Sequence, residues 1–190
     1  MVVSDIRELG TVLSIWAHPD DEAYLCGGIM AMAVAASARV VCLTATRGEL
    51  GVTDPDRWPP EQLPAIREAE LAACLQVLGV SEHRWLGYPD GGCAEVEITA
   101  AATPIADIIR EIAPDTILTF PPDGQTGHPD HMAVHAGRSR PSAAPKSGRC
   151  KSWRTPKSGL TITWRNGLSW VRSSVIRQWS GPGLSASMSP

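Results

Sequence analysis

Short apolar runs alternate with helix-like segments through the first 137 residues, and this alternation limits the fold more than any other feature. Four apolar runs have the length of buried strands: 11–17, 40–44, 84–86 and 116–120. Four other segments show helical spacing or a helix-start signal: 27–36, 64–79, 105–112 and the segment from 129 onwards. Repeated strand–helix alternation predicts an α/β fold, in which a mostly parallel sheet carries helices on both faces.

Charge divides the chain into two predicted parts, 1–137 and 138–190. Residues 1–137 contain all 20 acidic side chains and seven arginines, a net charge of −13, whereas 138–190 contain ten basic side chains, no acidic ones, twelve serines and four tryptophans. The second part is interpreted either as a disordered basic arm that binds nucleic acid or acidic surfaces, or as a segment that is not native coding sequence, as after a frameshift. Its tryptophans and lack of hydrophobic periodicity favour the second interpretation, so we expect function before residue 138 and no nucleic-acid partner.

Several classes of protein are disfavoured by what the sequence lacks. No run approaches 18 apolar residues and the N-terminal segment is polar, which argues against a membrane span or a secretory signal. Neither a G-x-G-x-x-G after the first strand nor a G-K-[ST] loop is found, so no nucleotide-binding loop is predicted. The five cysteines are scattered and odd in number, which predicts reduced thiols in a cytoplasmic protein.

Two copies of a His-Pro-Asp motif stand where ligands of a parallel sheet bind. Such ligands lie beyond the carboxyl ends of the strands, which here selects loops 18–27, 45–60, 87–93 and 121–131. The first loop begins with 18–22 (HPDDE) and the last ends with 128–131 (HPDH), each directly after a predicted strand. The first and last strands of half a sheet can be neighbours, so the two motifs can meet across one crevice.

The residue types and their spacing in these motifs predict a hydrolytic metal site. A proline forces the preceding histidine into an extended conformation, and residues three apart then converge on one side of the following turn. Two imidazoles and one carboxylate are a ligand set of hydrolytic zinc sites that leave a position for water. We therefore predict that His18, Asp21 and His131 bind zinc or another divalent metal, that Asp20 is the general base, and that His128 donates to the developing oxyanion.

Less specific interpretations of the same residues stay open. One His-Pro-Asp is often only a turn, and Asp-Asp-Glu is often a solvated helix start, but two copies that each follow a strand favour a shared site. By helical spacing, His135 could replace one of the ligands. His83 fits neither loop and is interpreted as an ordinary surface or half-buried residue.

Five sequence blocks resemble the PIG-L/LmbE family of zinc-dependent N-acetylglucosamine de-N-acetylases, which includes deacetylases of mycothiol and bacillithiol synthesis. In the family's order, they are 17–22 (AHPDDE), 46–49 (TRGE), 67–71 (REAEL), 86–91 (LGYPDG) and 127–131 (GHPDH). The resemblance covers about 11–137. It implies a Rossmann-like fold, hydrolysis of the acetamide of an amino sugar, and the same ligand, base and oxyanion roles. It also implies that Arg67 and Asp90 contact the sugar or its aglycone.

The resemblance leaves several alternatives open. From the residues alone, Arg67 could be a helix-surface partner of an acid, and Asp90 could be a turn residue. Beyond residue 137 the family's His-x-Ser-Gln-like segment is missing, so one wall of the pocket could be absent. We therefore predict a metal-dependent amidase acting on a small N-acetylated amino sugar or conjugate. The alternative hypothesis is a truncated, catalytically silent relative that only binds metal or sugar.

Overall fold

The computed structural model describes residues 5–51, 54–138 and 161–164, which form an α/β fold around one sheet. The strands are β1 (Val12–Trp16), β2 (Val40–Thr44), β3 (Glu82–Trp85), β4 (Thr116–Thr119) and β5 (Thr161–Trp164). The helices are α1 (Asp21–Ala35), α2 (Leu63–Leu78), α3 (Ile98–Ile112) and α4 (Pro129–Arg138), with short 3-10 helices at Ile6–Leu9 and Cys93–Glu95. The strand order is β3-β2-β1-β4-β5, and β1 to β4 run parallel.

The core lies on both sides of β1, the central strand. Val12 pairs with Val40 of β2 on one side and with Thr116 of β4 on the other, and every residue of β1 and β2 is buried. Continuous apolar strands of this kind need cover on both faces. Helix α1 packs against α2 and α3 against α4. With this strand order, the usual right-handed crossovers lead to the two pairs on opposite faces. The predicted fold class is confirmed.

Two helices begin earlier than their apolar spacing predicts. Helix α1 starts at Asp21 rather than at residue 27, and the backbone at Cys26 interrupts it with a φ of −149°. Helix α3 starts well before residue 105, because the Glu97 side chain accepts hydrogen bonds from the amides of Thr99 and Ala100 and so caps its first turn. The loop after β1 is therefore shorter than the predicted 18–27, and Asp21 and Glu22 of the first His-Pro-Asp motif lie in helix α1.

The segment after residue 137 contributes one strand to the sheet. Strand β5 pairs antiparallel with β4, with Thr161 opposite Thr119 and Trp164 opposite Thr116. The sequence analysis did not predict this strand. Most of 138–190, the part to which the basic-arm and frameshift interpretations apply, lies outside the described ranges. The boundary at residue 137 stays a prediction.

Strand β3 forms one end of the strand order, and two ion pairs flank it. All four of its residues are half-buried, which suits an edge strand. Glu82 accepts two hydrogen bonds from the Arg39 guanidinium, both of 2.7 Å, and Arg84 Nη1 donates to Glu111 Oε2 at 2.7 Å. Glu82 and Arg84, two positions apart on the strand, thus each carry a paired charge at the sheet's edge.

Within the described residues, no helix is both long enough and apolar enough to cross a membrane. The four cysteines found there are free thiols, of which Cys26, Cys42 and Cys93 are buried.

Candidate metal centre

The two His-Pro-Asp motifs meet at the carboxyl end of the sheet. His18 follows β1, and His131 lies in the first turn of α4, which the chain reaches from β4 through a short loop. Because β1 pairs with β4, the two rings approach until His18 Nδ1 and His131 Nε2 are 3.2 Å apart, across 113 positions of sequence. The spatial meeting of positions 18 and 131, on which the sequence argument depends, is therefore present in the structure.

Asp21 faces both rings, with a different carboxylate oxygen toward each. Its Oδ2 lies 3.6 Å from His18 Nδ1 and its Oδ1 lies 3.4 Å from His131 Nε2. Zinc bonds of about 2.0–2.2 Å in tetrahedral geometry separate neighbouring ligand atoms by about 3.4 Å. The distance between the two ring nitrogens and the distance from each nitrogen to its nearer Asp21 oxygen fall close to that spacing. Because Asp21 Oδ2 also accepts a hydrogen bond of 2.8 Å from the His18 amide, Oδ1 is the oxygen left for a metal.

The outward-facing nitrogens of both rings contact acceptors, as in histidines that bind metals. His18 Nε2 lies 3.0 Å from Asp90 Oδ1 and 3.3 Å from Asp130 Oδ2. His131 Nδ1 lies 2.9 Å from the carbonyl oxygen of Gly124. A carboxylate or carbonyl in this position fixes the tautomer and leaves the opposite nitrogen without a proton. Two proton-free nitrogens facing each other at 3.2 Å repel unless a cation or a proton lies between them.

The charges around His18 favour a positive charge at its ring. Burial alone lowers the pKa of His18, but hydrogen bonds and charges from Asp21 and Asp90 outweigh it and raise the pKa to about 10. Burial lowers the pKa of His131, so this ring stays neutral. The carboxylates of Asp21 and Asp90 thus provide negative charge of the kind that a divalent ion requires.

His128 stands beside the two predicted ligands but is exposed to solvent. Its ring centroid lies 4.9 Å from the centroids of both His18 and His131. Its Nδ1 accepts a hydrogen bond of 3.2 Å from the Asp130 amide, which leaves the ring proton on Nε2. An Nε2–H donor at the rim of the site is what the predicted oxyanion role requires.

The described residues contain two sets of three possible metal-binding groups whose ligand atoms all lie close together, and Asp21 belongs to neither. The ligand atoms of His18, His128 and His131 lie within 4.8 Å of one another, and so do those of His18, Asp90 and Asp130. Both sets share His18, so this residue is the common element of every arrangement at the site. The choice of Asp21 as the third ligand stays a prediction.

Asp130 is the site residue to which the sequence analysis gave no role. It is 0% exposed, and its carboxylate accepts hydrogen bonds from the amides of Gly91, at 2.8 Å, and Cys93, at 3.1 Å. It thereby ties the loop after β3 to helix α4 and faces His18 Nε2. The repeated motif contained the signal, because Asp130 follows its histidine at the same spacing as Asp20 follows His18.

Asp90 has partners for both carboxylate oxygens within the protein. Oδ1 faces His18, and Oδ2 accepts a hydrogen bond of 2.9 Å from the Leu50 amide, while Glu49 Oε1 accepts one of 2.9 Å from the Asp90 amide. The hydrogen bond to His18 holds the pKa of Asp90 below its usual value, against the effect of burial. Asp90 thus links two loops and orients His18; its direct contact with a sugar stays a prediction.

Arg67 reaches the same end of the sheet from helix α2. Its Nη2 donates to the carbonyl oxygen of Pro19 and, at 2.8 Å, to Asp20 Oδ2, and its Nη1 donates to Glu70 at 3.3 Å. The described contacts therefore attach Arg67 to the predicted general base. A contact between Arg67 and substrate stays a prediction.

The remaining two histidines take other partners. His135 Nδ1 lies 2.8 Å from the carbonyl oxygen of Phe120, and His135 belongs to neither of the two sets of possible metal-binding groups in the described residues. His83 is half-buried, with its Nε2 3.0 Å from Thr44 Oγ1 and its ring packed edge-on against Trp85. The half-buried alternative for His83 is therefore the one observed.

Comparison with known proteins assigns the chain to a family. The sequence profile of PIG-L, described as GlcNAc-PI de-N-acetylase, matches residues 13–140, more than half of the chain. The chain belongs to the PIG-L family. The match includes both His-Pro-Asp motifs and all four parallel strands.

Curated PIG-L relatives are named 1D-myo-inositol 2-acetamido-2-deoxy-alpha-D-glucopyranoside deacetylase. The protein from Kineococcus radiotolerans is 40% identical over 157 residues, which cover 68% of this chain and 44% of the relative. That from Mycolicibacterium smegmatis is 35% identical over 159 residues, covering 73% of this chain and 55% of the relative. The chain thus spans about half the length of these relatives.

A solved PIG-L-like structure has the same arrangement of strands and helices. The N,N'-diacetylchitobiose deacetylase from Pyrococcus horikoshii superposes with a TM-score of 0.58 at 29% identity, covering 69% of this chain and 50% of that protein. The superposition supports the fold class.

Proposed function

We propose that this protein is a metal-dependent amidase that removes the acetyl group from a small N-acetylated amino sugar or sugar conjugate. The observation that carries the proposal is the pair of facing, acceptor-oriented imidazoles of His18 and His131 beside Asp21. Membership of the PIG-L family and relatives named as deacetylases support it. By similarity to those relatives, the first substrate to test is 1D-myo-inositol 2-acetamido-2-deoxy-α-D-glucopyranoside.

We propose zinc as the metal and His18, Asp21 and His131 as its ligands. Two imidazoles and one carboxylate are a donor set used by hydrolytic zinc sites. A divalent cation bound there would polarise a carbonyl oxygen and lower the pKa of a water molecule to about 7. We also propose a cytoplasmic location, which the four free cysteines of the described residues support.

In this proposal Asp20 and His128 perform the proton transfer and the charge stabilisation. Asp20 takes a proton from the water that attacks the acetamide carbon, and returns it to the amine nitrogen as the C–N bond breaks, releasing acetate. The Nε2–H of His128 donates to the acetamide oxygen as negative charge develops on it. Loss of one such donor typically lowers the rate by about 100- to 1000-fold.

The experiment combines metal removal with one substitution. Acetate release should stop when a chelator strips the protein and resume when zinc is added back. Asp20→Asn should abolish turnover and leave zinc affinity unchanged, because Asp20 is not a proposed ligand; the exposed Asp123→Asn is the matched control and should keep full activity. If the chain binds zinc or sugar but releases no acetate under any condition, the silent-relative alternative is correct.

A further inference from the structure

Asp20 has the largest positive φ among the described residues. Three other non-glycine residues have positive φ, between 48° and 67°, near the left-handed helical region. Asp20 has a φ of 121° with a ψ of −27°, a conformation that side chains with a Cβ rarely adopt. Such a conformation persists only where surrounding contacts hold it in place, and it is typical of functional sites.

Glu22 holds this backbone from one side. The side chain of Glu22 is almost fully buried, with 1% of the residue exposed, and its Oε2 accepts a hydrogen bond of 3.1 Å from the Asp20 amide. A carboxylate buried in a core of this kind is costly unless it has a specific partner. The amide N–H of Asp20 is such a partner, and the unusual φ of Asp20 sets the direction in which this N–H points.

Arg67 holds the same residue from the other side. One nitrogen, Nη2, donates both to the carbonyl oxygen of Pro19 and to the carboxylate of Asp20. Gly48 lies against this arginine: its φ is 66°, and a Cβ there would lie 3.5 Å from Arg67 Nε. Arg67 therefore fixes the peptide before Asp20 and the side chain of Asp20 in a single arrangement.

We propose that Arg67 and Glu22 are positioning residues that force the strained Asp20 backbone and thereby aim its carboxylate at the water it deprotonates. This inference rests on the proposed function, because it treats Asp20 as the general base. A base displaced by about 1 Å can lose about 100-fold in rate. The competing role for Arg67 is direct contact with the sugar, which affects binding rather than proton transfer.

The kinetic test separates these two roles. Arg67→Met and Glu22→Leu should each lower kcat by about 100-fold and change KM by less than about threefold. Arg67→Lys and Glu22→Gln should each recover part of the loss, because a lysine can still donate to the Asp20 carboxylate and a glutamine oxygen can still accept from its amide. Arg39→Met, which breaks an ion pair before β2 at the opposite end of the sheet, is the control and should keep full activity. A raised KM with unchanged kcat in Arg67→Met would overturn the positioning role.

A second test needs no activity and therefore distinguishes failure of this inference from failure of the proposed function. Glycine adopts a φ of 121° freely, so Asp20→Gly should melt above Asp20→Ala by at least about 2–4 °C, whereas glycine in ordinary backbone melts below alanine. This difference in melting temperature should vanish when both Asp20 variants also carry Arg67→Met and Glu22→Leu, because neither side chain then enforces the positive φ of residue 20. If Asp20→Ala melts at or above Asp20→Gly in the unaltered background, the backbone is not held and the inference is wrong. An inactive wild-type chain that shows the gap would overturn the proposed function alone.

Discussion

Replacing the buried Asp130 by asparagine should weaken both the fold and the metal centre. The Asp130 carboxylate accepts two hydrogen bonds, from the amides of Gly91 and Cys93, and faces His18 Nε2 at 3.3 Å. The new amide group has one acceptor oxygen instead of two, so one backbone N–H loses its partner. An unsatisfied buried donor costs about 1–3 kcal/mol, and Asp130→Ala, which strands both donors, should cost about 2–6 kcal/mol.

The effect of Asp130→Asn on metal affinity should be smaller than the loss of a ligand. Removal of a partner behind a metal-binding histidine usually weakens affinity by about 10- to 100-fold. Here Asp90 stays 3.0 Å from the same His18 nitrogen and continues to orient the ring. We therefore expect a loss near about 10-fold, the lower end of that range.

Two measurements check this prediction. Urea unfolding in the presence of chelator gives the free energy of unfolding without a metal contribution, and competition with a chromophoric chelator gives zinc affinity. Asp123→Asn, the same change at an exposed position before α4, is the control and should lie within about 0.5 kcal/mol of wild type. If Asp130→Asn matches that control in both measurements, the reasoning from its buried contacts is refuted.

Three further predictions concern backbone, pH and metal. Gly48→Ala should destabilise the protein by about 1–2 kcal/mol in urea unfolding, because φ at Gly48 is 66° and the new Cβ would lie 3.2 Å from Pro19 Cδ. Gly28→Ala is the control: no atom lies within 4 Å of the new Cβ, so it should stabilise the protein by about 0.5–1 kcal/mol. Equal effects of the two substitutions would contradict the argument. Burial lowers the pKa of His83 to about 4, so between pH 4 and about 6.5 this side chain is protonated in the unfolded chain but not in the folded protein. The free energy of unfolding should therefore fall as pH falls through that window, and should fall less in His83→Gln. Identical pH profiles for the two proteins would disprove this role of His83. Zinc at about 100 times its Kd should raise the free energy of unfolding by about 2.7 kcal/mol, and an unchanged response in His18→Ala would remove His18 from the ligand set.

The fold class follows from sequence because its signal is distributed and redundant. Four apolar runs of strand length each come before a helical segment, and no single misjudged residue alters the alternation. The helix starts were harder to predict, because a capping side chain such as Glu97, rather than the apolar spacing, decides where α3 begins. Strand β5 alternates polar and apolar residues over only four positions, too short a pattern to predict a strand, and it gains its place from pairing with β4.

The site could be predicted to the level of its loops but not of its contacts. Two His-Pro-Asp motifs, each directly after a predicted strand, were enough to predict that His18 and His131 meet. The roles of Asp130 and Asp90 depend on which backbone amides face their carboxylates, and such amides come from distant loops without a sequence pattern. The attachment of Arg67 to Asp20 likewise depends on the path of the chain at Pro19, which spacing does not specify.

The charged edge at β3 has a consequence for how copies of this protein behave when concentrated. A strand at the end of a sheet offers its free backbone groups to any other chain, and paired charges along it oppose such strand addition. Incoming strands would have to strip water from Glu82 and Arg84 and disturb their partners on neighbouring elements. Neutralising both positions together should therefore promote edge-to-edge aggregation while leaving the carboxyl end of the sheet intact.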